Sequence, residues 1–151
     1  MNRAYAAGIV DGEGCIGFSK TRNVYYPRIM VVNTNSELLN DLRCCFGGSI
    51  HRLSRANDKW KAASQWQIGN RACVEFLDLI FDYLRIKYCQ ALLVFAWDEI
   101  RPGRGQSWSI EGLEAMKLIL EQSKWLNEKG IHAQTTIDPM TKEIASMIGW
   151  K

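Results

Sequence analysis

Near the N-terminus a row of small residues at helical spacing runs straight into an acid between two glycines, and nothing else in the chain constrains the fold as much. Ala4, Gly8 and Gly12 fall at i, i+4 and i+8, so they line one face of a short helix expected over Asn2 to Val10. A face that small lets another backbone come close. The Asp11 to Gly14 stretch (DGEG) is poor helix and good turn material. A strand over Cys15 to Ser19 follows, with Ile16 and Phe18 on one face. The chain therefore opens with a helix built for close packing, delivered directly into a sheet.

The remaining pattern extends this. A second strand is expected over Tyr25 to Thr34, with Pro27 marking a bulge or an edge near its start. Ser36 is placed to cap a helix from Glu37 to Phe46, closed by Gly47 and Gly48. Ser49 to Arg55 and Ala62 to Ile68 read as a hairpin, turning through Ala56 to Lys61. Asn70 is expected to cap a helix reaching about Tyr83, with Val74, Leu77, Ile80, Phe81 and Leu84 on its apolar face. Another helix spans about Lys87 to Ile100 and is stopped by Arg101 to Gln106. Ser109 caps a long helix to Asn127 that ends at Gly130, and Asp138-Pro139 starts a last one to about Met147. The predicted fold class is α+β: one four-stranded antiparallel sheet, backed by helices on one face. Its other face needs a partner or must be polar. A single domain over residues 1–151 is expected, with its core at about 4–100 and C-terminal helices at about 109–148.

Composition removes other classes. At 151 residues and 47% apolar content, a real core can be buried. No apolar run reaches the roughly 18 residues of a membrane span, and the apolar N-terminal stretch is too broken by Gly8, Asp11 and Gly12 to be a secretory signal, so an intracellular protein is expected. Five cysteines (15, 44, 45, 73 and 89) without CxxC spacing read as buried free thiols, neither a disulfide framework nor a zinc site. His51 and His132 stand alone, and GxSxG, P-loop and HExxH motifs are absent. Trp60, Trp66, Phe76, Phe81, Tyr83, Phe95 and Trp97 fall at core-like spacing. A net charge of +3 permits nucleic-acid binding without arguing for it, so the placement of charge matters more than its sum.

The segment AAGIVDGEG, Ala6 to Gly14, closely resembles the LAGLIDADG motif of homing endonucleases and maturases. Ala7, Gly8, Asp11 and Gly14 match; Ile9, Val10 and Glu13 are conservative changes; Gly12 replaces a small residue and Ala6 the leading leucine. The order of elements agrees, as does RIKYCQALL, Arg85 to Leu93, so the resemblance covers about Ala4 to Ile100. It implies cleavage of double-stranded DNA at a long, pseudo-palindromic site. One motif implies a homodimer, with Ala4, Ala7, Gly8, Asp11 and Gly12 at the interface. The physics agrees: two small-faced helices side by side bring two Glu13 carboxylates together, a pocket for a hard divalent cation. The family's metal-binding acid falls on Glu13, with the Gly12 carbonyl as a further ligand. Mg2+ or Mn2+ is implied, with Ca2+ binding but not supporting cleavage. Lys87 aligns with a basic residue beside the scissile phosphate, and Thr34 stands where the family often carries glutamine. Asp11 is expected to order backbone amides or to make contacts across the dimer. Neither a membrane nor a small-molecule cofactor is implied. An RNA maturase and a non-cutting DNA-binding regulator are the alternatives.

A twisted sheet with one polar face fits the DNA major groove. If Ile16 and Phe18 face the core, Ser19, Thr21 and Asn23 face the groove; if Ile50, Trp66 and Ile68 are core, then His51, Gln65 and Gln67 face the groove. Asn33 and Asn35 flank Thr34 as further candidates. Lys20, Arg22, Arg28, Arg52, Arg55, Lys59 and Lys61, seven of the 19 Lys and Arg, fall on the same strands and turns, which suits phosphate contacts.

Overall fold

Asn2 starts the first helix. In the computed structural model, which describes residues 1–22, 24–53 and 62–129, its side chain accepts a hydrogen bond from the Tyr5 amide at 2.8 Å. Helix α1 (Arg3–Glu13) then runs three residues past the expected end. The Asp11–Gly14 turn of the sequence reading is therefore wrong: Asp11, Gly12 and Glu13 form the last turn of α1, and the chain becomes extended only at Gly14 (φ −85°, ψ 156°). Its amide closes the helix on the Val10 carbonyl.

Strands β1 (Gly14–Thr21) and β2 (Val24–Asn33) pair antiparallel without a break, from Gly14 opposite Val31 to Thr21 opposite Val24. No bulge occurs at Pro27. The proline sits opposite Phe18, one residue before β2 also begins to pair with β4 at Arg28, so it lies where only one ladder needs amides. Arg22, in the connecting turn, has φ 56°. Helix α2 (Ser36–Phe46) is capped one residue earlier than expected, by Asn35, whose side chain accepts from the Glu37 and Leu38 amides. Strands β3 (Ser49–Arg52) and β4 (Ser64–Gly69) complete an antiparallel sheet in the order β1-β2-β4-β3. Helix α3 (Asn70–Ile80) follows, with Gly69 at the N-cap and Asn70 already helical in position although its φ is 55°; the expected Asn70 cap is not made. A 3-10 turn covers Phe81–Tyr83.

The register decides which side chains share a face. Ile16, Ile29, Ile68, Val31 and Trp66 stand together by pairing, and all are buried. Helices α1, α2 and α3 pack on the sheet, and Phe76 of α3 meets both Trp66 and Phe46 edge-on, with ring centroids 5.5 and 4.9 Å apart. The Trp66 indole also donates to the Gly47 carbonyl at 2.9 Å, so the largest buried ring leaves no orphan donor. These elements form one compact unit, Met1–Arg85.

A second unit begins at Ile86. It holds α4 (Tyr88–Ile100), one residue shorter than expected because Lys87 is its N-cap, and α5 (Ile110–Lys129), which pack together. The Ser109 hydroxyl accepts from the Gly112 amide at 3.0 Å, making the expected cap. Two expectations about burial fail. Cys15, Cys44 and Cys45 are exposed, and only Cys73 and Cys89 are buried; all five are free thiols. Tyr83 is exposed rather than core, because the tight turn at the end of α3 swings it off the apolar stripe. The helix expected from Asp138 and the rings of Trp60 lie outside the described residues. No described helix is long and apolar enough to cross a membrane.

Candidate functional site

Two features of the first unit carry chemistry: the end of α1 and the sheet face without helices. Ala6, Ala7, Ile9, Val10 and Asp11 form the buried side of α1, whereas Ala4, Tyr5, Gly8, Gly12 and Glu13 are exposed. The stripe is bare among the described residues: a Cβ added at Gly8 or Gly12 meets nothing of them within 4 Å. Two residues expected at a dimer interface point elsewhere. Ala7 is fully buried and has no surface to offer a partner. Asp11, also buried, accepts the Arg85 amide at 2.7 Å through Oδ2, the backbone-ordering role expected of it.

Glu13 ends α1 in the open. Among the described residues its carboxylate makes no ion pair and no side-chain hydrogen bond. The last carbonyls of a helix lack intrahelical partners and carry partial negative charge. Glu13, with the Gly12 carbonyl beside it in sequence, therefore concentrates oxygen and negative charge at one point, where β1 begins. Gly14 makes this abrupt exit possible, since a Cβ there would stand 2.6 Å from the Val10 carbonyl oxygen. No three His, Cys, Asp or Glu side chains converge on a cation-sized site among the described residues.

The open sheet face follows from the register. Ser19 and Thr21 of β1, Arg28 of β2, Gln65 and Gln67 of β4 and His51 of β3 all fall on the side opposite the buried set. Four of them are joined. Arg28 Nη1 donates to Gln67 Oε1 at 3.5 Å, Gln65 Nε2 donates to the same oxygen at 3.3 Å, and Gln67 Nε2 lies 2.9 Å from His51 Nε2. Ser49 Oγ is 3.0 Å from that histidine nitrogen. The row crosses three strands. Ser49, Tyr26 and Met30 share this face and were missed by the sequence reading; the even-numbered parity of β2 that carries Arg28 was the signal for Tyr26 and Met30.

Other candidates are placed differently. Lys20 and Arg52 fall, by pairing, on the helix side of the sheet, at strand ends where both remain exposed. Lys20 Nζ sits 5.3 Å from the Tyr25 ring centroid. Asn33 and Asn35 bond to the backbone: Asn33 Oδ1 accepts the Asn35 amide at 2.8 Å, and Asn35 caps α2. Thr34 is exposed in the bend between them, and Arg22 is exposed in the β1–β2 turn. Lys87 belongs to the second unit, where it opens α4. Asn23, Arg55, Lys59 and Lys61 lie outside the described residues.

The fold is similar to that of solved homing endonucleases, LAGLIDADG homing endonucleases among them. Homing endonuclease I-CvuI, solved with the I-CreI target in the presence of magnesium and with that DNA not cleaved, matches with a TM-score of 0.68 at 19% identity, over 99% of this chain and 95% of that one. The archaeal intron-encoded homing endonuclease I-Vdi141I, complexed with DNA, matches with a TM-score of 0.64 at 16% identity, over 97% of this chain and 94% of that one. The LAGLIDADG homing endonuclease I-SmaMI, bound to cleaved DNA, matches with a TM-score of 0.60 at 18% identity over 98% of this chain, which spans 49% of that one. No protein-family profile matches the sequence, and no curated protein does.

Proposed function

We infer that the protein is a DNA endonuclease that cuts both strands of a long, pseudo-palindromic site as a homodimer. The observation that carries this is the pairing, in one unit, of a helix whose outer face is bare among the described residues and which ends in an acid with no ion pair among them, with a sheet whose face opposite that unit's helices carries a polar row. Close packing of Ala4, Gly8 and Gly12 against a second copy brings two Glu13 carboxylates to one axis. Oxygen ligands of that kind suit Mg2+ or Mn2+; when bound, such a cation supplies Lewis acidity toward a phosphodiester. Glu13 and the Gly12 carbonyl would hold it, and Lys87 would supply positive charge toward the phosphoryl oxygens. Thr34 offers a hydroxyl to position water. Ser19, Thr21, Arg28, Gln65, Gln67 and His51 face the major groove, while Lys20, Arg22 and Arg52 at strand ends and turns, with Asn23, Arg55, Lys59 and Lys61, hold the backbone.

The test is cleavage of a randomised palindromic duplex library by wild type and Glu13→Gln, in magnesium and in calcium. Discrete double-strand cuts are expected only from wild type in magnesium, with DNA bound but intact in calcium. Binding without cutting under every condition, unchanged in Glu13→Gln, would replace the nuclease by a regulator. Preference for intron RNA over duplex DNA would favour a maturase.

A further inference from the structure

The polar row has a direction. Arginine carries donors and no acceptor, so the Gln67 atom that faces Arg28 Nη1 must be its oxygen. Gln65 Nε2, 3.3 Å from the same oxygen, is consistent with that orientation. The other end of that amide, Gln67 Nε2, then has only hydrogens to offer His51 Nε2 at 2.9 Å. His51 Nε2 must be bare and accepting, and the Ser49 hydroxyl, 3.0 Å away, can turn its proton toward it as well. In a neutral imidazole the proton is consequently on Nδ1. His51 is exposed on the open face, so this Nδ1–H is a donor whose polarity Arg28 has set through Gln67.

We propose that His51 is a specificity-determining residue, held as an Nδ1–H donor by Gln67 acting as a positioning residue, and that it selects a base presenting an acceptor in the major groove. Guanine, with N7 and O6, suits it best; cytosine, which offers an amino donor there, is rejected. This rests on the sheet face binding duplex DNA as inferred above.

Two measurements test it. The first is long-range proton–nitrogen correlation NMR of the imidazoles in the protein alone, in mildly alkaline buffer. The chain has two histidines, so His51→Ala assigns the signals. His51 Nδ1 is expected to carry the proton, and Gln67→Leu to release that preference. The second is selection of bound duplexes from a randomised library in calcium. Wild type is expected to favour guanine over cytosine about tenfold at one position of each half-site. His51→Ala and Gln67→Leu should bring that ratio close to parity, with duplex binding retained because phosphate contacts persist. A proton on Nε2 in the wild type, or base preferences untouched in His51→Ala, would overturn this inference and leave DNA binding intact. Failure to bind any duplex would instead remove the functional reading, and this one with it.

Discussion

Asp11 sits in the middle of the motif with the most chemical character, yet its carboxylate holds backbone. It accepts the Arg85 amide, 74 positions along the chain, at 2.7 Å. Asp11→Ala would leave that amide without its partner, and we expect a loss of about 1–3 kcal/mol in urea unfolding. The same contact explains a misreading. The Asp-Gly-Glu-Gly run looks like a turn because local propensity says so, but a bond to a distant amide holds Asp11 in helix, and no local pattern could show it. Cys73 supplies a pH signature. Burial pushes its thiol from an ordinary value of 9.0 up to about 12. For an acid raised in the folded state, the stabilisation is complete below about 9 and fades as pH climbs toward 12. The stability–pH profile of Cys73→Ala is accordingly expected to fall less steeply than that of wild type across this window. Cysteine placement was not legible in the sequence, since one thiol's burial depends on which face its element turns inward.

Among the elements, α1 uses its glycines for opposite purposes, and substitution separates them. Gly14→Ala puts a methyl group 2.6 Å from the Val10 carbonyl oxygen, so either helix or strand must shift; a cost of about 1–3 kcal/mol is expected in thermal or urea unfolding. Gly8→Ala and Gly12→Ala meet nothing in their own chain and replace a poor helix former, so the isolated chain should gain up to about 1 kcal/mol each. The strands were the most legible elements. Alternation placed Ile16, Trp66 and Ile68 on one side and Ser19, Thr21, His51, Gln65 and Gln67 on the other, as the register has them. Period-two counting also puts Lys20 and Arg52 with the core residues, as the register has them; their charge is accommodated because both lie toward strand ends and stay exposed. Helix starts were off by a residue at Asn35 and Gly69, because several neighbouring polar or small residues could cap and only the incoming strand decides among them.

At the scale of the whole molecule, the α1 glycine variants gain a second readout. If the bare stripe is the contact between copies, Gly8→Ala and Gly12→Ala should lower self-association in sedimentation equilibrium even as they stabilise each chain. Unchanged association, with the expected gain in stability, would move the contact off α1. Such a split between chain stability and assembly is what a purely structural glycine could not produce.

The hydrogen-bonded row on the open face also bears on how such a surface can change. Gln67 answers to Arg28, Gln65 and His51 at once, so the four positions do not behave as separate letters of an alphabet. Replacing Arg28 removes one of the two donors holding the Gln67 oxygen, and with it part of what fixes the histidine two strands away. If this face reads DNA as proposed, mutational effects at these positions are expected to be epistatic, and a lineage following a drifting target would move through paired substitutions, as would anyone redesigning the face.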